Sequence, residues 1–435
     1  MRRRWLAAVA ITMAGLLGVT ACGSGGGGTP AGQATGGATK AASGDVEVFS
    51  WWTGPGEADG LAAMRKIFET RNPSLKFVDA AVAGGSGDKA KALLQTKLQG
   101  GEPPDSFQGH AGAELQGYIK AGQLEDLTSL YDELKLKDVF PAQLVEQISV
   151  DGKIYSVPVN IHRSNVLWFS PAVLKEAGVA AAPKTIEEFI AALGKVKAKG
   201  KIPLAIGSEW TVTHLLENVM LGSMGTDAYN ALFQPGANWG GPEVTKALEN
   251  FKTVMSFAGD PQDDWQPAAK QVADGQAAFT VMGDWAYGFF HNPSPGGIGK
   301  KSKTDFDWAP APGTEGTYLW LSDSFTLPKG AKNREGALAW LKVAAGKEGQ
   351  DAFNPKKGSI PARKDADAAL YTDYLADALK DWSGDKLAGS IQHGVAVSQP
   401  WLTAINEQVG LYLQKPDDVA ALQKGLADAA TANAQ

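Results

Sequence analysis

The chain of 435 residues is 44% hydrophobic and 20% charged, which is the balance of a soluble globular protein. Its formal net charge of −6 argues against a nucleic-acid partner, and its single cysteine excludes an internal disulfide. The length exceeds what one hydrophobic core usually serves, so we expect the folded part to form two lobes.

The first 22 residues have the features of a secretory signal. Arginines occupy positions 2–4, residues 5–20 carry no charge, and small residues precede Cys22. The apolar run is too short for a membrane span. The sequence VTAC at 19–22 resembles the bacterial lipobox, which implies that Cys22 is lipidated and becomes the first residue of the mature protein. A plain signal peptide with an incidental cysteine is the alternative. We therefore expect a lipid-anchored protein on the extracytoplasmic face of the cell membrane.

Residues 23–44 are mostly glycine, serine, alanine and threonine. Such a segment buries too little apolar surface to fold, so we expect a flexible tether between the lipid and the folded body.

The rest of the chain alternates strand-like and helix-like segments. Apolar residues at helical spacing mark the helices, and a capping box of Thr185 and Glu188 starts one of them. This alternation predicts an α/β protein with largely parallel sheets. Strands are predicted at 46–50, 75–78, 105–107, 201–206 and 277–282, and helices at 60–72, 88–99, 186–196 and 337–345.

Aromatic and polar side chains follow three of the predicted strands. In open α/β sheets, ligands bind beyond the carboxyl ends of the strands. Indole rings can cover the C–H faces of a pyranose, while carboxylate, amide and imidazole groups can serve its hydroxyls. The strand ends therefore predict a sugar site, and the residues concerned are Trp51, Trp52, Glu57, Gln108, His110, Asp284 and Trp285.

Six short motifs occur in a fixed order along the chain. They are FSWWTGPGE at 49–57, QGH at 108–110, GDW at 283–285, SDSF at 322–325, KGSIPAR at 357–363 and QHG at 392–394. Together they resemble the extracellular sugar-binding proteins of ATP-binding-cassette (ABC) importers, and more narrowly the branch that binds glucose, galactose or mannose.

The resemblance implies a two-lobed α/β fold of the periplasmic-binding-protein type II class, with a hinge and a ligand cleft between the lobes. The first lobe would comprise 45–158 and about 287–350. The second would comprise 159–286 and about 351–435, with the first crossing at 157–160.

The resemblance also implies the residues that contact the sugar. Trp265 or Trp285 would cover one face of the ring, and Glu57 and Asp323 would accept hydrogen bonds from its hydroxyls. The full predicted set is Trp51, Trp52, Glu57, Gln108, His110, Trp265, Trp285, Asp323, Lys357 and His393, with Lys357, His110 and His393 as donors.

Several alternatives remain open at this level. Neighbours in an extended segment point to opposite sides, so only one of Trp51 and Trp52 need touch the ligand. Lys356 could replace Lys357. Three other tryptophans could take the stacking role instead, namely Trp239, Trp308 and Trp320. Three histidines are interpreted as structural, namely His162, His214 and His291.

The function implied is delivery of one monosaccharide to the membrane subunits of an ABC permease, by a monomer without cofactor or metal. Glucose is the favoured ligand, with galactose and mannose next. The alternatives are an oligosaccharide-binding protein of the same fold, a sensor, and a glycoside hydrolase that uses Glu57 and Asp323 as acid and base.

Overall fold

The computed structural model describes residues 42–434. The predicted signal peptide, the lipidation site Cys22 and almost all of the predicted tether lie outside the described residues. Within 42–434, no helix has both the length and the apolar character needed to cross a membrane.

The first lobe is built on a five-stranded sheet. Gly44–Phe49 lies between Leu75–Asp79 and Ser106–His110 and runs parallel to both, as the alternating sequence predicts. Asp323–Thr326 runs antiparallel to Ser106–His110, and Ser156–Pro158 completes the sheet at the edge. The helices of this lobe are Glu57–Arg71, Asp88–Gln99, Ala113–Lys120, Thr128–Leu134, Leu136–Val139, Ala142–Gln147, Arg334–Ala345 and Lys347–Lys357, and a short hairpin joins Ser149–Val150 to Lys153–Ile154.

Helix Glu57–Arg71 buries Leu61, Met64 and Phe68, the apolar positions that predict it. Its neighbour is helix Lys347–Lys357. The two backbones approach so closely that a Cβ on Gly60 would lie 2.7 Å from the ring of Phe353. Only glycine permits this distance.

The second lobe is built on a four-stranded sheet with the spatial order Asp307–Pro310, Val166–Phe169, Ala277–Val281 and Ile202–Leu204. The Thr185 hydroxyl accepts a hydrogen bond from the Glu188 N–H, as the capping box predicts, but Glu188 accepts from the N–H of Lys184 instead of Thr185. The helices are Pro171–Glu176, Ile186–Lys197, Glu209–Met224, Thr226–Ala231, Pro242–Met255, Trp265–Ala273, Gln399–Gln414 and Val419–Asn433.

A third sheet joins the two lobes. Its order is Ile360–Pro361, Asn160–Arg163, Thr317–Leu321 and Lys386–Gly389. Asn160–Arg163 is separated from the first-lobe strand Ser156–Pro158 by one residue, and Thr317–Leu321 is separated from Asp323–Thr326 by one residue. The chain therefore crosses between lobes within extended strands. Helix Tyr374–Gly384 and the 3-10 turn Ala368–Leu370 connect strands of this sheet, and helix Trp285–His291 packs between Trp265–Ala273 and Lys347–Lys357.

Two of the predicted lobe boundaries differ from the structure. The return to the first lobe at about residue 287 is too early, because strand Asp307–Pro310 still pairs with Val166–Phe169 in the second-lobe sheet. The exit at about 350 is also too early, because helix Lys347–Lys357 packs along Glu57–Arg71 to its end. Val159 separates the first-lobe strand Ser156–Pro158 from Asn160–Arg163 of the third sheet.

Candidate ligand-binding site

A cavity of about 210 Å³ lies between the two lobes, at the carboxyl ends of the first-lobe strands. It is smaller than the roughly 300–1,000 Å³ of sites for drug-sized ligands, so it suits a small molecule. Eight of the ten residues predicted from the sequence line it: Trp51, Glu57, His110, Trp265, Trp285, Asp323, Lys357 and His393.

The other two predicted residues lie outside the cavity wall. Trp52 is 1% exposed, and its ring packs against Phe325 and Phe353 at centroid distances of 5.4 and 4.5 Å, so it belongs to the first-lobe core. Gln108 donates to Asp323 Oδ1 at 2.8 Å and accepts from the Trp51 N–H at 3.1 Å. It therefore holds two lining residues in place without itself facing the cavity.

Asp323 is the centre of the polar network. Besides Gln108, Asn160 Nδ2 donates to its Oδ2 at 2.8 Å, while Asn160 Oδ1 accepts from the Asp323 backbone N–H at 2.8 Å. His162 and His110 place their Nε2 atoms 3.4 and 3.6 Å from its two oxygens. Burial alone would raise the pKa of Asp323, but His162, Lys357 and His110 outweigh it and hold the pKa well below its ordinary value. The group is a carboxylate at neutral pH.

His162 lines the cavity, although the sequence analysis interprets it as structural. Its Nδ1 contacts the Asp284 carboxylate, which also accepts from the Arg163 N–H, and its buried Nε2 makes no hydrogen bond. Burial tends to lower the pKa of His162, but Asp284 and Asp323 raise it above its ordinary value. One sequence signal could have indicated this position: Asn160 and His162 lie on the same face of one strand, and both approach Asp323.

Glu57 and Lys357 form an ion pair across the cavity wall, with Lys357 Nζ 2.5 Å from Glu57 Oε1. The second Glu57 oxygen accepts from the Gly54 N–H at 3.2 Å. The Lys357 side chain is 4% exposed, whereas Lys356 is exposed and outside the wall. The geometry thus favours Lys357 over the alternative Lys356.

Indole and imidazole rings form the second-lobe side of the cavity. Trp285 lies 5.0 Å from His393 and 5.4 Å from His162 between ring centroids, in edge-to-face contacts. Trp210, which the sequence analysis did not select, also lines the cavity and donates from Nε1 to Asp264 Oδ1 at 3.0 Å. Nothing in the local sequence of Trp210 distinguishes it from a core tryptophan in the first turn of a helix.

A buried ion pair supports the wall behind Trp51. Lys91 Nζ lies 2.9 Å from Glu114 Oε2, and the same oxygen lies 2.8 Å from His110 Nδ1. Burial opposes ionisation of Glu114, but Lys91 and His110 lower its pKa from 4.5 to about 2. The network therefore fixes the orientation of His110 toward Asp323.

The substitution Glu114→Gln should reveal this ion pair in the pH dependence of stability. Because the folded-state pKa is lowered, the stabilisation is complete above about pH 4.5 and is lost as pH falls toward about 2. A shift of this size corresponds to about 3 kcal/mol. Urea unfolding of both proteins at several pH values should show a stability difference that shrinks over that window. A difference independent of pH would contradict the assignment.

Glu217 joins the second-lobe helix Glu209–Met224 to the segment that carries His393. Its oxygens accept from the hydroxyls of Ser164 and Ser390 and from the backbone N–H groups of Ile391 and Gln392, at 2.6–3.0 Å. Glu217, His214 and His393 also form a group of possible metal ligands, with atoms within 4.8 Å of one another. Because both oxygens of Glu217 are already engaged, we interpret it as the anchor of residues 390–393.

Glu217→Gln should change the pH dependence of stability in the opposite direction. Burial raises the pKa of Glu217 from 4.5 to about 7, although its hydrogen bonds oppose the shift. The proton bound in the folded state stabilises the protein below about pH 4.5, and this contribution is lost as pH rises to about 7. Glutamine does not titrate, so the free energy of unfolding of the variant should rise by up to about 3 kcal/mol relative to that of the parent over this pH range. A difference in the free energy of unfolding between parent and variant that does not change with pH would refute this.

The fold and the site define a class: two α/β lobes, strands that cross between them, and a polar and aromatic cavity in the cleft. Residues 42–351 match the model of the bacterial extracellular solute-binding protein family, and the chain belongs to that family. The predicted two-lobed type II fold is confirmed by the similarity to solved solute-binding proteins.

Three similar proteins illustrate the relationship. A probable sugar-binding periplasmic protein of Mesorhizobium japonicum is 32% identical over 404 residues, which covers 88% of this chain and 94% of the relative. The xylose/arabinose-binding protein XacG of Haloferax volcanii is 29% identical over 393 residues, or 88% and 83% of the two chains. The structure of the bacterial solute receptor AcbH, which prefers β-D-galactopyranose, superposes with a TM-score of 0.77 at 20% identity and covers 90% of this chain and 100% of its own.

Proposed function

We propose that this protein binds one neutral monosaccharide in the interlobe cavity and delivers it, chemically unchanged, to an ABC importer. Glucose is the favoured ligand, with galactose and mannose as close alternatives. The observation that carries the proposal is the composition of the small cavity, in which indole rings from the second lobe face paired charged groups from the first.

The lining groups suit the two surfaces of a pyranose. The carboxylates of Asp323 and Glu57 can accept from hydroxyls, and Lys357 and the imidazoles can donate. Hydrogen bonds to charged groups contribute roughly 1.5–3 kcal/mol each, more than neutral ones. The rings of Trp51, Trp265 and Trp285 offer apolar faces for the C–H groups of the sugar.

The protonation states favour binding over hydrolysis. A glycosidase needs one carboxyl group with a raised pKa as its general acid. Asp323 has a lowered pKa and is surrounded by donors, and Glu57 is paired with Lys357. Asp323 is thus not prepared to give up a proton to a leaving group, and Glu57 is engaged in an ion pair with Lys357.

The relatives named as a probable sugar-binding periplasmic protein and a xylose/arabinose-binding protein support a transport role outside the cytoplasm. We propose that Cys22 carries the lipid anchor and that the closed, monomeric, loaded protein presents both lobes to the permease. Contacts from both lobes exist together only in the closed state, so the ligand shifts the population toward it.

Isothermal titration calorimetry tests the proposal. Residues 42–435, refolded to remove carried-over ligand, would be titrated with glucose, galactose, mannose, xylose and maltose. One-to-one binding of a hexose is the expected result. Tighter binding of maltose would favour the oligosaccharide alternative, and turnover of aryl glycosides would favour the hydrolase. No heat with any sugar would refute the ligand class.

A further inference from the structure

A glycine-rich segment of the first lobe, residues 83–87, crosses the cleft and contacts the second lobe. At Gly85 the contact leaves no room for a side chain. An added Cβ would lie 2.2 Å from Trp210 Nε1 and 2.7 Å from Asp264 Oδ1. Both distances are far below van der Waals contact, so any other residue at 85 would push the two lobes apart or displace the two side chains.

The second-lobe side of this contact is fixed. Trp210 is 6% exposed, and its Nε1 donates to Asp264 Oδ1. The same oxygen accepts from the Trp265 N–H at 2.8 Å and thereby caps helix Trp265–Ala273. Moving either side chain away from Gly85 would break this cap or the indole hydrogen bond, and would disturb the neighbouring cavity wall at Trp265.

The first-lobe side is fixed as well. Gly87 has a φ of +76°, and a Cβ there would lie 2.7 Å from the Trp51 ring, so the segment is seated on that indole. The Ser86 hydroxyl accepts from Gln392 Nε2 at 3.2 Å across the cleft. Held at Ser86 and Gly87, directly after position 85, the segment cannot simply bend away from a bulkier residue there.

We propose that Gly85 determines how completely the lobes close, and hence the affinity for every ligand that the cavity takes. This inference rests on the proposed function in one respect only, namely that a sugar binds between the lobes. Because Gly85 acts on closure and not through a contact with one hydroxyl, a side chain there lowers the affinity for all sugars by the same factor.

The test compares Gly85→Ala with the matched control Gly117→Ala. Gly117 lies in helix Ala113–Lys120 of the same lobe, and an added Cβ there meets no atom within 4 Å. Calorimetry with at least two epimeric hexoses should show that Gly85→Ala lowers the affinity about tenfold or more, by the same factor for each sugar. The control should keep the affinity of the parent. Equal affinities in both variants, or a loss confined to one epimer, would overturn the proposal.

A second measurement does not depend on any sugar. Spin labels on Lys89→Cys and Thr403→Cys, exposed positions on first-lobe helix Asp88–Gln99 and second-lobe helix Gln399–Gln414, report the distance between the lobes in residues 42–435. Gly85→Ala should add a longer distance population that Gly117→Ala lacks. Identical distributions overturn the inference. If Gly85→Ala adds a longer interlobe distance but the protein binds none of the sugars, the inference about closure stands and the proposed ligand is rejected.

Replacement of Trp210 separates steric obstruction from misfolding. If the Cβ acts by pushing against the indole, Gly85→Ala should lengthen the interlobe distance less in a Trp210→Leu background than in the parent. The thermal unfolding midpoint of Gly85→Ala should stay close to that of the parent, because the contact lies between the lobes, whereas Gly117→Ala should unfold slightly higher, because alanine favours the helix Ala113–Lys120. An unreduced effect of Gly85→Ala in the Trp210→Leu background would contradict the mechanism.

Discussion

Asp323→Ala is expected to lower the free energy of unfolding by about 3–5 kcal/mol in addition to removing ligand binding. Asp323 is 2% exposed, and its carboxylate accepts hydrogen bonds from Gln108 and Asn160 and lies 3.4 Å from His162 Nε2. Removing it leaves the two amide donors unpaired, and the His162 ring retains only Asp284 as a partner. Since Asp323 begins a strand that pairs with Ser106–His110, the damage extends into the first-lobe sheet.

Urea unfolding and calorimetry on the same preparations would separate the two effects. Asp417→Ala is a suitable control, because that side chain is 95% exposed and its loss should change stability by no more than about 0.5 kcal/mol. Asp323→Asn, which keeps the shape and loses the charge, should lie between the parent and the alanine variant in stability. An alanine variant as stable as the parent would mean that the carboxylate is not the centre of the network.

Trp285→Ala is expected to weaken sugar binding about 100-fold or more, in the range of the largest contributions of buried aromatic residues to interfaces. The indole lines the cavity and is held by His162, His214 and His393. Its loss removes one apolar wall and admits water to the charged groups opposite, which weakens their hydrogen bonds to the ligand.

Trp308→Ala is the matched control for this experiment. Trp308 lies outside the cavity, donates to Asp377 and carries Lys303 over its ring at 3.4 Å. Its loss should leave sugar affinity unchanged while costing some stability. Calorimetry and thermal unfolding of both variants would establish the contrast. If both variants lost affinity equally, the effect would come from general destabilisation and not from the wall.

Local signals predict the alternating fold and the strand-end residues Trp51, Glu57, His110 and Trp285, whereas the family motifs supplied Trp265, Asp323, Lys357 and His393. Trp51 and Glu57 follow a strand that its apolar residues predict, and the cavity lies at the carboxyl ends of such strands. The choice between Trp51 and Trp52 depends on strand pairing: Trp51 is turned to the cavity by its bond to Gln108, which is 57 residues away. Local pattern fixes that the two side chains differ in direction, but not which one is buried.

Residues that act through long-range partners could not be predicted in the same way. His162 acquires its position from Asp284, which is 122 residues away, and Trp210 from Asp264, which is 54 residues away. The lobe boundary was misplaced for the same reason. The composition of Asp307–Pro310 is compatible with a strand in either lobe, and only its pairing with Val166–Phe169 assigns it to the second.

The single-residue junctions at Val159 and Ser322 have a consequence for the order in which a ligand is recognised. Both junction residues are fully buried, so lobe separation is expected to be a rotation about an axis through them. Asp323 and Asn160 adjoin this axis and keep their mutual geometry as the cleft opens, whereas Trp265 and Gly85 lie on walls that separate. We therefore expect a sugar to contact the preformed polar group around Asp323 first and the second-lobe tryptophans Trp265 and Trp285 second. Substitutions at Asp323 or Asn160 should therefore change mainly the association rate, and substitutions at Trp265 or Trp285 mainly the dissociation rate.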